Sequence, residues 1–131
     1  MPIRDEMQVL MDRWTKGFVE GDIETCVDVY TKDAAVYSPY SEPKCGSDGI
    51  RDLFDQWHQQ GETNKRVTVE DAAGDGSVAY CLVSYSGDYP QDDGSYVTES
   101  GISLNVAEKQ PDGSWKLRIS SMNSDKPSLA S

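Results

Sequence analysis

The stretch from Gly21 to Trp57 constrains the fold more than any other part of this sequence. In fewer than forty residues it holds a short helical segment, a strand, a loop containing Pro39 and Pro43, and a second helical segment, and four strand-like segments follow it. Because helices come first and hairpin-linked strands follow, the order predicts an α+β fold. We expect three N-terminal helices packed on a curved, mainly antiparallel sheet, which together enclose a cone.

Three amphipathic helices are predicted in the first half of the chain. Apolar residues recur at helical spacing over Ile3–Phe18, and Gly21 ends that helix. Asp22 is expected to cap a second, shorter helix. A third helix begins near Ser47 and stops at Gly61. Its apolar stripe consists of Ile50, Leu53, Phe54 and Trp57.

The strands are predicted from apolar alternation and from the turns between them. The first is Ala34–Ser38, preceded by a fraying helix end at Thr31–Asp33 and followed by a proline-containing loop over Pro39–Gly46. One face of each of the last two strands is apolar, carrying Ile102, Leu104 and Val106 in the first and Trp115, Leu117 and Ile119 in the second. Residues 1–131 are expected to form a single domain, with 124–131 as a flexible tail.

The charge balance limits the partners. The 131 residues contain 12 Lys and Arg against 23 Asp and Glu, a net charge of −11 at pH 7. Nucleic acids and anionic membranes need a basic surface, so neither is an expected partner. No apolar run approaches the ~20 residues of a membrane span, and the N-terminal stretch lacks the apolar core of a secretory signal. The three separated cysteines are then expected to be reduced thiols in a cytoplasmic protein.

The ionisable residues form no metal or cofactor motif. His58 is the single histidine and lies off the apolar stripe, so we expect it at the surface and exclude a multi-histidine site. The acidic turns around Asp75 and Asp92 lack, respectively, the bidentate glutamate and the glycine of a calcium loop. Gly74 and Gly76 do not continue into a phosphate-binding fingerprint. We therefore expect neither a metal nor an organic cofactor.

The order of several short motifs resembles a known superfamily. The motifs are Trp14, Gly21-Asp22, Asp33-Ala34-Ala35, Ser38-Pro39, Gly46, Ile50 and Asp112-Gly113-Ser114-Trp115. Their joint order resembles the ketosteroid-isomerase-like branch of the nuclear-transport-factor-2-like superfamily, and Ser120–Pro127 resembles the ending of its SnoaL-like, isomerase-homologue proteins. The resemblance, over residues 3–127, implies a cystatin-like cone. The superfamily includes isomerases, cyclases, dehydratases and non-catalytic association modules, usually as homodimers, so the fold does not choose a function.

A comparison by position argues against the steroid-isomerase reaction. Those enzymes use a tyrosine on the first helix, a carboxylate base at the end of the first strand and a protonated acid on a late strand. The matching positions here are Trp14, Ser38 and, within one residue, Ile102. A serine hydroxyl cannot take a carbon-bound proton unaided, and an indole N–H donates a hydrogen bond but no proton. The resemblance therefore implies the fold without this reaction.

A ligand site is expected inside the cone. Trp14 and Asn123 would donate hydrogen bonds to a ligand, Ser38 would make a polar contact, and Trp57 and Tyr80 would form walls. The complete predicted set is Trp14, Ser38, Trp57, Tyr80, Ser100, Ser121 and Asn123. The alternative is that the aromatic rings only fill the core.

Four further residues are placed by alternation or by their position beside the loop. Tyr37 and Tyr40 flank the loop and would either close the mouth of the cone or pack at a subunit interface. Glu99 is expected to point away from the face that carries Ile102, so that a catalytic role is not expected for it. Arg118 is expected on the outer sheet face.

These inferences favour a homodimer, paired through the outer sheet face, that binds a small, largely apolar molecule. Any chemistry would be of the isomerase, cyclase or dehydratase kind, and whether the chain is an enzyme stays open. The alternative is a non-catalytic association or ligand-carrier module whose cone Trp14 and Trp57 fill. An open cavity of ~300 Å³ or more supports the binder, and an inward-facing titratable group supports the enzyme.

Overall fold

The computed structural model describes residues 1–125. In that part of the chain the elements follow the order α1 (Ile3–Glu20), α2 (Ile23–Asp28), β1 (Tyr30–Ser38), β2 (Ser41–Cys45), α3 (Gly46–Gln59), β3 (Thr63–Gly74), β4 (Val78–Pro90), β5 (Tyr96–Lys109) and β6 (Trp115–Ser124). Strands β1 and β2 lie between α2 and α3, so the helices are not consecutive. Ser124, predicted to begin a flexible tail, ends β6 instead, and residues 126–131 of that tail lie outside the described residues.

The strands form one sheet in the order β2-β1-β6-β5-β4-β3. Strands β1 and β6 run parallel, whereas the other neighbouring pairs are antiparallel. Helix α1 packs against β3 and helix α3 packs against β1, and the buried side chains of both helices form one core with those of the sheet. The predicted α+β class with a mainly antiparallel sheet is confirmed.

The helix ends follow the predicted local signals. Gly21, at φ 74°, closes α1 in the left-handed conformation that glycine adopts without steric penalty. The Asp22 carboxylate accepts a hydrogen bond from the Thr25 backbone N–H at 3.3 Å, which caps α2. Helix α3 buries the whole predicted stripe, ending with Trp57. This stripe places the Trp57 ring on the inner wall of the cone.

Two predictions around β1 and β2 are wrong. Thr31–Asp33, expected at a fraying helix end, belong to β1. The predicted loop Pro39–Gly46 contains β2, formed by Ser41–Cys45. Pro43 is compatible with this strand because β2 is an edge strand, where a missing backbone N–H need not break a ladder.

A β-bulge in β6 overturns the face predicted for the end of that strand. Leu117 and Ile119 pair with consecutive residues of β5, so Arg118 is an extra residue in the ladder. Beyond a one-residue bulge, every side chain changes face. Leu117 is therefore fully buried, whereas Ile119 is not and Ser120 faces the core.

The apolar face predicted for β5 lies on the outside of the sheet. Ile102 is 43% exposed and Leu104 is 47% exposed. The alternate residues Ser103, Asn105 and Ala107 are buried against the helices. The inner face of β5 therefore brings polar side chains into the cone, while its outer face is an apolar stripe.

Candidate functional site

The cone encloses a small inner chamber with aromatic walls. The Trp14 ring stacks on Phe18 with centroids 5.0 Å apart and meets Phe54 edge-on at 5.4 Å. Phe54 in turn contacts Trp57 at 5.6 Å. The remaining chamber has a volume of about 50 Å³, which is space for a few water molecules. The aromatic cluster thus fills most of the cone without closing it.

Four neutral polar side chains, Tyr30, Ser103, Asn105 and Ser120, form a row along the chamber wall, hereafter the chamber row. The Tyr30 and Ser120 hydroxyls lie 2.8 Å apart, and Ser120 Oγ donates to Asn105 Oδ1 at 2.5 Å. Asn105 Nδ2 donates to Ser103 Oγ at 3.1 Å. Burial raises the pKa of the Tyr30 phenol, which therefore stays neutral. Since its members bond to one another, the chamber row is stable without a ligand.

A small cavity, hereafter the neck, lies between the chamber and an outer groove and shares lining residues with both. Its volume is about 10 Å³, close to that of a single water-sized probe. Lys65 and Tyr85 line both the chamber and the neck. Trp57 lines the chamber, the neck and an outer groove. The three spaces, hereafter the passage, therefore adjoin one another along the Trp57 side chain.

A buried ion pair lies at the neck. Lys65 Nζ is 3.0 Å from Glu62 Oε2, and the two side chains are only 6% and 1% exposed. The Lys65 ammonium also lies over the rings of Trp14, Phe18 and Tyr85, 5.5 to 5.8 Å from their centroids. These π faces attract the cation, but the carboxylate needs further hydrogen-bond donors to offset its desolvation.

The Glu62 carboxylate lacks such a donor on one side. Glu62 Oε1 is buried and accepts no hydrogen bond within residues 1–125. Burial, then the charge of Glu62 and then a hydrogen-bonding contribution from the Glu62 side chain raise the pKa of Tyr89, so this phenol lies beside the carboxylate. Its distance and angle to Oε1 nevertheless fall outside hydrogen-bond geometry. Gly87 provides the space for the carboxylate, because a Cβ at that position would overlap Glu62 Oε2. A buried charged oxygen without a partner is uncommon and requires an explanation.

The outer groove forms the mouth of the passage. Its volume is about 340 Å³, within the range of small-ligand pockets. One wall comes from α3, through Leu53, Gln56 and Trp57, and Tyr40 and Glu99 stand opposite. The mouth therefore combines an apolar wall with polar side chains at its rim.

Tyr40 separates the mouth from the neck. Its hydroxyl lies 2.9 Å from the Tyr85 hydroxyl, and its ring meets Trp57 edge-on at 6.3 Å. Burial, and then the bond to Tyr40, raises the pKa of Tyr85. Tyr40 is nevertheless 40% exposed and lies at the turn between β1 and β2. Of the two positions expected for this residue, the structure places it at the mouth.

Trp14 and Trp57 line the passage, where they were expected, but Tyr80 does not. Tyr80 is 40% exposed on the outer face of β4, and its hydroxyl donates to Asp71 Oδ2 at 3.0 Å. Its neighbours Ala79 and Cys81 take the inward positions. Tyr80 is therefore not a wall of the ligand site, because the alternation of β4 points its side chain outward.

Ser121 and Asn123 are also on the outer face. Both pair with residues of the outer face of β5, because the bulge at Arg118 shifts the last part of β6 by one residue. Ser120 and Met122 face the chamber in their place. The alternation predicts the buried face of β6 correctly up to Leu117 and wrongly beyond the bulge.

The other two predicted polar contacts, Ser38 and Ser100, line none of these spaces. Ser38 Oγ accepts a hydrogen bond from the Tyr40 backbone N–H at 3.3 Å. Ser100 Oγ donates to Asp125 Oδ2 at 3.0 Å. Neither side chain is among the residues that line the chamber, neck or mouth. Both are occupied by local contacts, which stabilise the turn after β1 and the end of β6.

The ionisable residues of the passage were missed in the sequence. Glu99 does point away from Ile102, as predicted, but Ile102 is on the outside, so Glu99 lines the neck and the mouth. Glu62 and Lys65 lie at a turn and strand start, three residues apart, a pattern typical of a solvated surface. The alternation of β5 gave no signal for Glu99 either, because it predicts that the apolar face with Ile102 is the inner one.

The positions of the steroid-isomerase residues carry no carboxyl group in the structure either. Trp14 lines the chamber, and Ser38 bonds to the backbone of Tyr40 in the turn after β1. The inward-facing neighbours of Ile102 are Gly101 and Ser103. The acid and base of those enzymes are thus absent from these three places.

His58 is at the surface, as expected, and two of the three cysteines are in the core. His58 is exposed, with its ring 5.6 Å from Phe18. Cys26 and Cys81 are buried, and burial raises the pKa of each thiol to about 12, so they are core residues. Within residues 1–125, no cluster of three or more His, Cys, Asp or Glu side chains could hold a metal ion. In the same range, no helix has the length and apolarity to cross a membrane.

Comparison with known families gives one match. The SnoaL-like domain matches residues 11–113, which cover most of the chain and include every residue that lines the neck except Met122. A search of the curated proteins finds no match.

Several solved structures share the fold at low sequence identity. A ketosteroid isomerase-like protein from Erwinia carotovora atroseptica superposes with a TM-score of 0.82 at 14% identity, over 95% of this chain and 97% of that one. A nuclear transport factor 2-like superfamily protein from Salmonella enterica gives 0.78 at 11% identity, over 98% and 94%. A protein of unknown function with a cystatin-like fold from Nostoc punctiforme gives 0.73 at 20% identity, over 95% and 92%. At these identities the likeness concerns the fold alone.

Proposed function

Since the chain belongs to the SnoaL-like domain family, we propose that it binds a small, largely apolar molecule through the mouth of its cone. The observation that carries this proposal is the mouth itself, a groove of about 340 Å³ that shares Trp57 with the neck. The inner chamber, at about 50 Å³, is too small for such a molecule. The ligand body would therefore lie in the mouth, against the part of the Trp57 side chain that lines the groove.

A reaction at this site would need the ionisable groups of the neck. Glu62, Lys65 and Glu99 line it, whereas the positions used by steroid isomerases carry no acid or base. Chemistry of the isomerase, cyclase or dehydratase kind would thus depend on a different set of residues from those enzymes. Binding is the part of the proposal that the geometry supports.

We also propose that the protein is a homodimer through the outer sheet face. The support is an exposed apolar surface on β4 and β5, where Tyr80, Ile102 and Leu104 are each 40% or more exposed. Such a surface is typical of an interface between subunits. Leu104→Lys should then turn a dimer into a monomer in sedimentation equilibrium, and a monomeric wild type would contradict the proposal.

A non-catalytic association module is the second candidate function. The small chamber favours it, because Trp14 and the rings around it fill most of the cone. In this case the outer sheet face would be the working surface, and the mouth would bind nothing. The two candidates therefore differ in whether the mouth takes up a ligand.

Ligand titration by tryptophan fluorescence tests the proposal. The probe is 1-indanone, a bicyclic ketone that quenches indole emission on contact, and the protein variants are Trp57→Phe and Trp115→Phe. The Trp115→Phe variant should show saturable quenching, because Trp57 remains in the mouth. The Trp57→Phe variant should lose most of it. A ligand at a hundred times its Kd should also stabilise the wild type by about 2.7 kcal/mol, and the absence of both quenching and stabilisation would favour the association module.

A further inference from the structure

The Glu62–Lys65 pair at the neck has a hydrogen-bond acceptor and hydrogen-bond donors that the pair itself does not use. Glu62 is 1% exposed, and its Oε1 atom accepts no hydrogen bond within the described residues. The Lys65 ammonium has three N–H donors, of which the bond to Glu62 Oε2 at 3.0 Å uses one. An open acceptor and open donors therefore lie side by side in a buried site.

The size of the neck limits what can complete this pair. Its volume of about 10 Å³ fits one oxygen-sized group, but not a carboxylate or a phosphate. The charges agree with this limit, because Glu62 and Glu99 both line the neck and would repel an anion. A group that enters must then be small and neutral.

A hydroxyl group meets all of these conditions. It donates one hydrogen bond, which Glu62 Oε1 can accept, and it accepts one, which Lys65 Nζ can donate. A carbonyl oxygen could accept from Lys65 but would leave Glu62 Oε1 without a donor. An ether has the same defect, and its extra carbon would not fit a neck of this volume.

We infer that the neck is a recognition site for the hydroxyl of a phenol or a ring alcohol, whose ring lies in the mouth against Trp57. This inference rests on the proposed binding function and names the class of ligand at that site. The hydroxyl would donate to Glu62 Oε1 and accept from Lys65 Nζ, after Tyr40 moves away from its contact with Tyr85. The ring would occupy the groove of about 340 Å³.

The test compares a phenol with its methyl ether, 5-indanol with 5-methoxyindane, by isothermal titration calorimetry. Because a hydrogen bond to a charged group contributes about 1.5–3 kcal/mol, the wild type should bind 5-indanol at least tenfold more tightly. The variant Glu62→Leu/Lys65→Met replaces the pair by apolar side chains of similar volume and should bind both probes equally. The matched control, Asp28→Asn/Lys116→Met, removes a surface pair 3.1 Å apart and should keep the wild-type preference.

Each outcome tests either the proposed binding function or the hydroxyl inference that rests on it. If neither probe binds to the wild type, the proposed binding function fails. If both probes bind with equal affinity, the mouth is a ligand site but the hydroxyl inference is overturned. A preference that persists in the Glu62→Leu/Lys65→Met variant would also overturn it, because another group would then recognise the hydroxyl. Tyr89→Phe serves as a further check, since it should keep the preference if the ligand, and not Tyr89, is the partner of Oε1.

Discussion

The chamber row and the neck are two polar sites in one apolar cone, and they differ in whether their hydrogen bonds are complete. In the chamber row, Tyr30, Ser120, Asn105 and Ser103 are neutral and bond to one another over 2.5 to 3.1 Å. In the neck, a fully buried carboxylate has one oxygen without a donor. A complete network holds a structure together, whereas an incomplete and charged one is better explained by a group that binds there. The difference suggests that the chamber row is structural and the neck is functional. Outside the chamber row, the Trp14 Nε1 donor on the chamber wall also lacks a partner within residues 1–125.

The largest effect is expected for removing one partner of the neck pair. Lys65→Met leaves the Glu62 carboxylate buried without its cation and should lower the free energy of unfolding by about 3–5 kcal/mol. The double variant Glu62→Leu/Lys65→Met should recover most of this loss, because the apolar replacement needs no compensation. Urea denaturation of Lys65→Met, Glu62→Leu and the double variant measures the coupling free energy between the two side chains. A Lys65→Met variant as stable as the surface variant Lys116→Met would mean that the neck pair is solvated, and the contrast with the chamber row would disappear.

A smaller effect is expected for breaking the chamber row at its centre. Asn105→Leu keeps the volume but leaves the hydroxyls of Ser120 and Ser103 without their amide partner, at a loss of about 1–3 kcal/mol in unfolding free energy. The affinity for 5-indanol should remain that of the wild type, because the ligand is not expected to reach the chamber. Calorimetric titration of this variant measures the affinity. A tenfold loss of affinity with little change in stability would make the chamber row part of the ligand site.

The smallest expected effect is the difference in unfolding free energy between variants on the two faces of β6. Ser120→Ala removes the contacts to Tyr30 and Asn105 and should lower the unfolding free energy by about 1 kcal/mol. The neighbouring change Ser121→Ala, on the outer face, should stay within about 0.5 kcal/mol of the wild type. Chemical denaturation of both variants under one condition suffices. Equal effects, or a larger effect at Ser121, would contradict the bulge at Arg118.

Sequence patterns identified the parts of the fold that depend on local chemistry. The stripe of α3, the end of α1 at Gly21 and the cap at Asp22 all follow from neighbouring residues, and all were predicted. Trp57 was placed on the cone wall for the same reason. Helix periodicity and capping are local properties, so a single sequence carries enough information for them.

The faces of the last strands depended on pairing between strands, which alternation alone does not show. In β5 the alternation predicts the wrong inner face. Ile102 and Leu104 are apolar but exposed, whereas the polar residues Ser103 and Asn105 are buried. In β6 nothing near Arg118 marks the bulge, which arises from the register with β5. The predicted ligand contacts at Tyr80, Ser121 and Asn123 are wrong because these side chains lie on the opposite face of the sheet from the one predicted.

The neck was missed because its residues look like surface residues in the sequence. A glutamate and a lysine three residues apart are typical of a solvated turn. What buries them lies on another strand, where Gly87 leaves room for the Glu62 carboxylate and Tyr85 presents its ring to the Lys65 ammonium. Such a site becomes visible only when the strands are placed side by side.

The most direct test of the central claim is a crystal structure of the protein with 5-indanol at a saturating concentration. The account predicts the ring in the mouth against Trp57 and its oxygen within hydrogen-bond distance of both Glu62 Oε1 and Lys65 Nζ. Tyr40 should have moved away from Tyr85. An empty mouth, or a ligand bound only on the outer sheet face, would contradict the account.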